Sequence, residues 1–140
     1  MSEQAPARTA TVLVYSDDRS TRDQVRLALG RRVAADLPDI EVFDCATHQA
    51  VSKALDAGGI DLVILDGEAT PAGGLGVCHQ LKDEIADCPP VIVLIARVAD
   101  AWLATWSRAD AVQAHPIDPR ALPEAAATLL RSRLAQAAQR

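Results

Sequence analysis

The fold of this chain is decided by the stretch Ile60-Asp-Leu-Val-Ile-Leu-Asp66, in which four large aliphatic residues stand in a row before a carboxylate. A nearly unbroken apolar run of this length is typical of a strand that is covered on both faces, as the inner strands of a parallel sheet are. Gly58-Gly59 precedes the run and gives the backbone the freedom to end a helix. The stretch therefore predicts a buried strand that runs directly into Asp66.

Similar runs recur on both sides of this strand and alternate with helical patterns. The predicted strands cover residues 11–15, 40–44, 60–65, 91–95 and 111–114. Between and after them, apolar residues recur every three or four positions, as on the buried side of a helix. The predicted helices run from Ser20 or Thr21 to Leu37, over residues 48–57, 75–85 and 99–107, and from Pro119 to about Ala137.

This strict alternation of strands and helices predicts an α/β fold with a doubly wound, five-stranded parallel sheet. The strand order expected for such a repeat is the flavodoxin-like order 2-1-3-4-5, with the five helices on both faces of the sheet. The sequence contains no internal repeat or linker that would separate a second unit. We therefore expect one domain over residues 10–138, after a disordered lead over residues 1–9.

The composition excludes several classes of protein. The longest apolar run, residues 91–96, is far shorter than the roughly 20 residues of a membrane span, and residues 1–9 lack the apolar segment of a signal peptide. The net charge of −5 argues against nucleic-acid binding. The three cysteines, Cys45, Cys78 and Cys88, form no CxxC pair and are interpreted as small buried residues of a reduced protein. We expect a cytoplasmic protein without membrane insertion.

Acidic residues follow the first and third predicted strands. Asp17 and Asp18 come after the first strand, and Asp66 comes after the third. Ligands of doubly wound sheets bind beyond the carboxyl ends of the strands where the strand order reverses, which is between these two strands. Each Asp taken singly is better explained as a helix cap or a loop residue. Three carboxylates at one edge, however, repel one another unless a cation lies among them, and Mg²⁺ prefers such oxygen ligands.

These motifs together resemble the receiver domains of response regulators in two-component signalling, over residues 10 to about 135. The resemblance rests on Val12-Leu-Val-Tyr-Ser-Asp-Asp18, on Asp61-Leu-Val-Ile-Leu-Asp66 followed by Pro71, Gly74-Leu75 and Cys78-His-Gln-Leu-Lys82, and on Pro116-Ile-Asp-Pro119. It implies that Asp66 is the phosphoacceptor for a histidine kinase. It also implies that Mg²⁺ is held by Asp17, Asp18, Asp66 and the backbone carbonyl of Glu68.

Several positions depart from the family pattern. Ile95 stands where receivers usually carry a Thr or Ser that hydrogen-bonds the phosphoryl group, and Val112 stands where an aromatic residue changes rotamer. His115 replaces a lysine, and it is explained equally well as a partial substitute that titrates near neutral pH or as a plain loop residue. Pro71 lies one place later than usual. The pattern predicts a retained acceptor with an altered switch.

Trp102 and Trp106 lie four residues apart, on one side of the predicted fourth helix. We expect one of them to pack against the sheet. The other is expected to stay exposed, because so short a helix cannot easily bury both. In receivers the fourth helix, fifth strand and fifth helix form the usual output and dimer surface, and tryptophan is enriched at binding hot spots. Residues 97–140 are also mildly basic, with six basic and four acidic groups. We expect a protein partner or a second copy on this face, with Trp102 or Trp106 as its anchor.

Three functions remain open. The first is an atypical single-domain response regulator that works through protein binding and uses Asp66 weakly. The second is a conventional phosphorelay receiver in which His115 serves in place of the lysine. The third is a flavin-binding electron carrier on the same fold, in which Ser16 and nearby hydroxyls bind phosphate although Asp17-Asp18 repel it. An enzyme is not expected, since the sequence has no glycine-rich nucleotide loop and no metal-binding pair of histidines.

Overall fold

The computed structural model describes residues 9–70, 73–97 and 100–139. The disordered lead predicted for residues 1–9 lies outside these ranges apart from Thr9, and so does Pro71. The strands are β1 (Ala10–Tyr15), β2 (Ile40–Cys45), β3 (Leu62–Asp66), β4 (Val91–Ile95) and β5 (Ala111–Ala114). The helices are α1 (Arg19–Leu29), α2 (His48–Ala57), α3 (Gly74–Glu84), α4 (Ala101–Ser107) and α5 (Ala121–Ala138).

The strands form a parallel sheet in the order β2-β1-β3-β4-β5, which confirms the predicted fold. The inner strands β1, β3 and β4 are buried along nearly their whole length, and this explains their unbroken aliphatic runs. β2 lies at one edge, and most of its residues are only partly covered. Because β1 and β3 are neighbours, the residues that follow them meet at the same edge of the sheet.

Successive residues of the inner strands point into two different apolar layers. One layer lies under α1 and α5 and includes Val12, Ile64 and Leu130. The other lies under α2 and α3 and includes Leu13 and Val63. A shift of one residue in any inner strand would place its side chains on the wrong faces of the sheet. Such a shift is costly, because burying one of these side chains fully contributes about 1.5–3 kcal/mol. The two layers therefore fix where β1 and β3 end.

The first helix begins and ends earlier than predicted. Asp18 is its N-cap and accepts a hydrogen bond from the Ser20 backbone N–H, so the predicted caps Ser20 and Thr21 are wrong. The helix stops at Leu29 because Gly30 adopts a φ of 65°, which glycine tolerates and other residues rarely do. The predicted end at Leu37 is wrong for the same reason. An aspartate can cap a helix as well as a serine, and the periodicity could not choose between them.

Of the remaining helices, the second has the predicted bounds, and the ends of the others differ from the predictions by at most two residues. The last helix starts at Ala121 and not at Pro119, because the Asp118 carboxylate accepts hydrogen bonds from the N–H groups of Arg120 and Ala121. α4 starts at Ala101, and Ile85 is the C-cap of α3. β3 also includes Asp66 as its last residue. Helix ends are the part of a fold that local sequence determines least.

The cysteines are free, and Cys45 and Cys78 are buried whereas Cys88 is half-buried. Burial raises the pKa of the Cys45 and Cys78 thiols to about 11, so both stay protonated at neutral pH. These properties suit the small hydrophobic role predicted for them. In the part of the chain that the structure describes, no helix has the length and apolarity to cross a membrane.

Candidate functional site

A cleft of about 340 Å³ opens at the carboxyl ends of the strands, between β1 and β3. It is lined by Asp17, Asp18, Thr21, Asp66, Glu68, Ala96 and His115. The strand order reverses at this point, which is where a doubly wound sheet binds ligands. Every acidic residue predicted for the site therefore lines one cleft, together with the predicted substitute cation His115.

Asp66 lies at the floor of this cleft and is only 4% exposed. Its Oδ1 accepts a hydrogen bond from the Glu68 backbone N–H at 2.9 Å and lies 3.2 Å from His115 Nε2. Its Oδ2 accepts a hydrogen bond from the Ser16 hydroxyl at 2.8 Å. A carboxylate buried without partners is costly, and these donors replace the water that Asp66 loses.

The backbone around Asp66 leaves no space for side chains on two neighbouring glycines. A Cβ on Gly67 would lie 2.5 Å from the Leu94 carbonyl oxygen, and a Cβ on Gly74 would lie 2.6 Å from the Asp66 carbonyl oxygen. Both distances are well below van der Waals contact. β4 on one side and the start of α3 on the other thus hold the end of β3 in place, and only glycine allows the approach.

The carboxylates of Asp17 and Asp18 have different partners. Asp17 Oδ2 accepts a hydrogen bond from Thr70 Oγ1 at 2.9 Å, and the pKa of Asp17 is lowered chiefly by hydrogen bonds from the Thr70 side chain and then its backbone. Asp18 caps α1 through Oδ1. The simple explanation of an aspartate as a helix cap is therefore correct for Asp18, although its side chain also lines the cleft.

The chemistry of the cleft fits a magnesium ion, but its side chains are not drawn together around one. Mg²⁺ needs only one or two carboxylates plus water molecules, and Asp17 and Asp66 offer two in the same cleft. Among the described residues, no group of three or more His, Cys, Asp or Glu side chains is arranged to hold a metal. The predicted ligand set of Asp17, Asp18, Asp66 and the Glu68 carbonyl therefore stays a prediction.

The altered family positions lie on the β4–β5 side of the cleft. Ile95 is buried in the apolar layer under α2 and α3, and Val112 packs against the same layer. His115 continues from β5, and its backbone N–H donates to the Ile95 carbonyl oxygen at 2.8 Å. Its side chain is 23% exposed and reaches Asp66, and its role as a substitute for the lysine stays a prediction. The His115–Pro116 peptide bond is cis.

Sequence reasoning missed the site role of Ser16, Gly67 and Thr70. The sequence assigns Ser16 a role only in the flavin alternative, as a phosphate-binding residue, yet Ser16 is fully buried against Asp66. A polar residue at the buried end of an aliphatic strand was the available signal. Gly67 directly follows the acceptor position, and its need for close approach depends on β4. Thr70 gave no signal, because its contact to Asp17 spans 53 residues of chain.

Both tryptophans of α4 are exposed, Trp102 by 68% and Trp106 by 50%. The expectation that one of them packs against the sheet is therefore wrong, whereas Ser107 of the same helix is fully buried. The Trp106 ring stacks on the His79 ring of α3, with centroids 4.1 Å apart and planes inclined by 9°. The two exposed tryptophans thus lie on α4, which packs beside α3, and we call Trp102, Trp106 and His79 the aromatic surface.

Comparisons with known proteins place these features in a family. No family model matches the chain. It is 54% identical over 121 residues to response regulatory proteins of Mycobacterium tuberculosis strains H37Rv and CDC 1551, a match that covers 86% of this chain and 91% of each relative.

Solved structures agree in fold. A response regulator from Chloroflexus aurantiacus has a TM-score of 0.77 at 20% identity, covering 89% of this chain and 99% of that one. A CheY-like receiver domain from Methanospirillum hungatei has a TM-score of 0.71 at 17% identity, covering 92% and 99%. TrrA from Thermotoga maritima, solved in complex with Mg²⁺-BeF, has a TM-score of 0.70 at 24% identity, covering 86% and 99%. The chain therefore belongs to the response regulators and is a receiver domain of two-component signalling.

Proposed function

We propose that this receiver domain is an atypical response regulator that acts by binding a protein partner and accepts a phosphoryl group on Asp66 only weakly. One observation carries the proposal: Asp66 is buried in a carboxylate-lined cleft and contacts His115, while the neighbouring strand end offers the apolar Ile95. These contacts support a carboxylate that is kept at the acceptor position while its usual hydrogen-bonding neighbours are replaced. The match over 91% of the mycobacterial relatives' length supports a single receiver domain over residues 10–138 as the working unit.

The proposed weakness has a physical cause. A phosphoryl group on Asp66 carries negative charge that must be met by donors on the β4–β5 side of the cleft. Ile95 has no hydroxyl to donate, and a charge-assisted hydrogen bond contributes roughly 1.5–3 kcal/mol. His115 supplies a ring nitrogen on that side, 3.2 Å from Asp66 Oδ1. We therefore propose that the phosphoryl group is held less firmly than in a receiver with both Thr and Lys.

Magnesium is part of this proposal. Asp17 and Asp66 would supply carboxylates, with Asp18 and the Glu68 carbonyl as the further ligands that the family resemblance implies. When bound, the ion neutralises charge on the phosphoryl oxygens. To serve as a ligand, Asp17 would give up its hydrogen bond from Thr70, while Asp18 would keep its cap on α1.

A small phosphodonor tests the acceptor role. Incubation with acetyl phosphate and Mg²⁺, followed by intact-mass measurement, is expected to add one phosphoryl group to a minor fraction of the molecules. Asp66→Asn is expected to abolish the gain. If the wild-type mass does not change, Asp66 is not an acceptor and this part of the proposal is wrong.

The contact between His115 and Asp66 favours a second candidate, the conventional phosphorelay receiver in which His115 serves as the lysine. Rapid and nearly complete labelling by acetyl phosphate, lost in His115→Ala, would favour this candidate over the first.

The flavin-binding alternative is set aside, because family membership accounts for the fold and carboxylates line the cleft where a flavin phosphate would bind.

We further propose that the partner binds at the aromatic surface and the adjoining face of α4, β5 and α5. The partner is a protein, either a second copy of this chain or an output protein, with a histidine kinase as the phosphodonor. Two exposed tryptophans on one helix support this proposal, because rigid aromatic side chains contribute much binding energy at small entropic cost.

The net charge of −5 supports a protein partner over nucleic acid, and the three free cysteines support a cytoplasmic location. The proposed role is that of a signalling module and not of an enzyme.

Sedimentation and affinity capture test the aromatic surface. The double variant Trp102→Ala/Trp106→Ala is expected to lose self-association or the captured partner. Leu27→Ala is the matched control, since Leu27 is also a large exposed apolar residue but lies on α1. Equal binding by the wild type and the double variant would disprove the role of this surface.

A further inference from the structure

Ser16 occupies a fully buried position between β1 and Asp17. Its hydroxyl oxygen accepts a hydrogen bond from the Asp18 backbone N–H at 3.0 Å and donates to Asp66 Oδ2 at 2.8 Å. A serine hydroxyl has a single proton, and the Asp18 N–H supplies its own. The Ser16 proton is therefore directed at Asp66, and the backbone at the start of α1 holds it there.

This contact makes the two oxygens of Asp66 unequal. Oδ2 faces Ser16, which is inaccessible to solvent, whereas Oδ1 faces His115, whose side chain is 23% exposed and lines the cleft. A phosphodonor that enters the cleft meets the Oδ1 side. Ser16 is not among the residues that line the cleft.

We propose that Ser16 is a positioning residue that limits how long Asp66 retains a phosphoryl group, an inference that rests on the proposed acceptor role of Asp66. The Ser16 hydrogen bond goes to an ionised carboxylate before the transfer and to the neutral carbonyl oxygen of an acyl phosphate afterwards. Hydrogen bonds to a charged acceptor are about twice as strong as those to a neutral one. Ser16 therefore stabilises the free carboxylate more than the phosphorylated form.

This stabilisation of the free carboxylate affects both the gain and the loss of the phosphoryl group on Asp66. In the gain, Oδ1 gives an electron pair to the phosphorus of an acyl phosphate donor, and the bond from phosphorus to the donor's carboxylate oxygen breaks with its pair leaving on that carboxylate. In the loss, a water oxygen bonds to phosphorus, the bond to Oδ1 breaks, Asp66 recovers the pair, and a proton passes to solvent. Ser16 slows the first step because it stabilises the attacking carboxylate, and speeds the second because it stabilises the departing one.

The test compares wild type, Ser16→Ala and Ser107→Ala in the full chain. Ser107 is the matched control, because it is also fully buried but lies in α4. Each protein is labelled with acetyl phosphate and Mg²⁺, the donor is removed, and the phosphorylated fraction is followed by intact mass. We expect Ser16→Ala to retain the group about fivefold longer and to gain it faster, with Ser107→Ala unchanged. A defect that only disturbs the structure would slow phosphorylation of Asp66 and would not lengthen the time for which the phosphoryl group is retained.

Ser16→Thr retains the hydroxyl and is expected to return both rates toward wild type. A wild type that is labelled while Ser16→Ala loses the group at the same rate would overturn this inference and leave the proposed function standing. A wild type and a Ser16→Ala variant that both remain unlabelled would overturn both. If Ser16→Ala does not fold, as judged by circular dichroism, Ser16→Cys replaces it, because its thiol is a weak donor of similar size and the same lengthening is expected.

Discussion

The two halves of the Asp66 cleft are built in different ways. In the β1–β3 half, each carboxylate has a defined partner and the backbone of β3 is closely packed between β4 and α3. In the β4–β5 half, the side chains of Ile95 and Val112 contribute only apolar contacts, and His115 is the one ionisable residue of that half among those described as lining the cleft. The half that holds Asp66 is tightly packed and hydrogen-bonded, whereas the half with Ile95, Val112 and His115 has few polar contacts.

This difference indicates where a signal could leave the domain. A phosphoryl group would change the charge at Asp66, but the side chains of Ile95 and Val112 have no polar atom that would move to meet it. The exposed tryptophans lie on α4, the helix between these two strands. The aromatic surface is thus exposed while Asp66 is unmodified, which suits the proposed regulator that works through binding.

The largest effect is expected from Gly74→Ala, which challenges the tight packing of the β1–β3 half. The added Cβ meets the Asp66 carbonyl oxygen, and we expect the free energy of unfolding to fall by about 1–3 kcal/mol. Urea denaturation measures this loss.

Gly76→Ala is the matched control in the same helix, since a Cβ there meets nothing within 4 Å. We expect it to stabilise the protein by about 0.5–1 kcal/mol, because alanine favours a helix interior. Equal effects of the two substitutions would show that the end of β3 is not closely packed.

A smaller effect is expected when the β4–β5 half is given polar groups. The double variant Ile95→Thr/His115→Lys supplies a hydroxyl and a fixed cation, and the phosphorylated fraction should rise about tenfold, as one regained charge-assisted hydrogen bond implies. Intact mass after labelling with acetyl phosphate and Mg²⁺ measures the change, with Asp66→Asn in the same background as the unlabelled control. An unchanged fraction would mean that the β4–β5 half does not limit phosphorylation.

The tryptophans should differ modestly in their contribution to stability. Trp106→Ala removes the stacked contact with His79 and is expected to lower the free energy of unfolding by about 0.5–1.5 kcal/mol. Trp102→Ala removes a more exposed ring and should change it by less than about 0.5 kcal/mol. Thermal denaturation distinguishes them, and a larger loss for Trp102 would contradict the assignment of the stacked ring.

The smallest effect concerns the pKa of Asp17. Thr70→Val removes the side-chain hydrogen bond that lowers this pKa, so the pKa should rise toward its usual value. A carboxyl with a lowered folded-state pKa contributes stability above its unfolded pKa, and this contribution is lost as pH falls through the folded-state pKa. The effect on stability is therefore present at neutral pH and disappears in acid.

A pH titration of the carboxyl carbon by NMR measures this shift. Asp118 is the internal control, because its pKa is lowered by the N–H groups of Ala121 and Arg120 and should not change. A pKa of Asp17 that is the same in both proteins would show that Thr70 does not hold this carboxylate.

The sequence by itself determined the strand order, the meeting of Asp17, Asp18 and Asp66 at one cleft, and the altered positions Ile95 and His115. Local patterns suffice for these features, because an aliphatic run marks an inner strand and the alternation with helices leaves few possible topologies. The end of α1 at Leu29 was not determined in this way, since Val33 continues the apolar spacing and packs on the same layer from a loop.

Only the tertiary structure decided how the site is completed. The contacts of Asp66 to Ser16 and His115 span 50 and 49 residues of chain, and the need for glycine at position 67 depends on a carbonyl of β4. The exposure of both tryptophans likewise depends on how α4 lies against α3. Hydrogen bonds and close contacts of this kind form only when distant segments are placed to within a few tenths of an ångström. No local periodicity in the sequence encodes a placement of that precision.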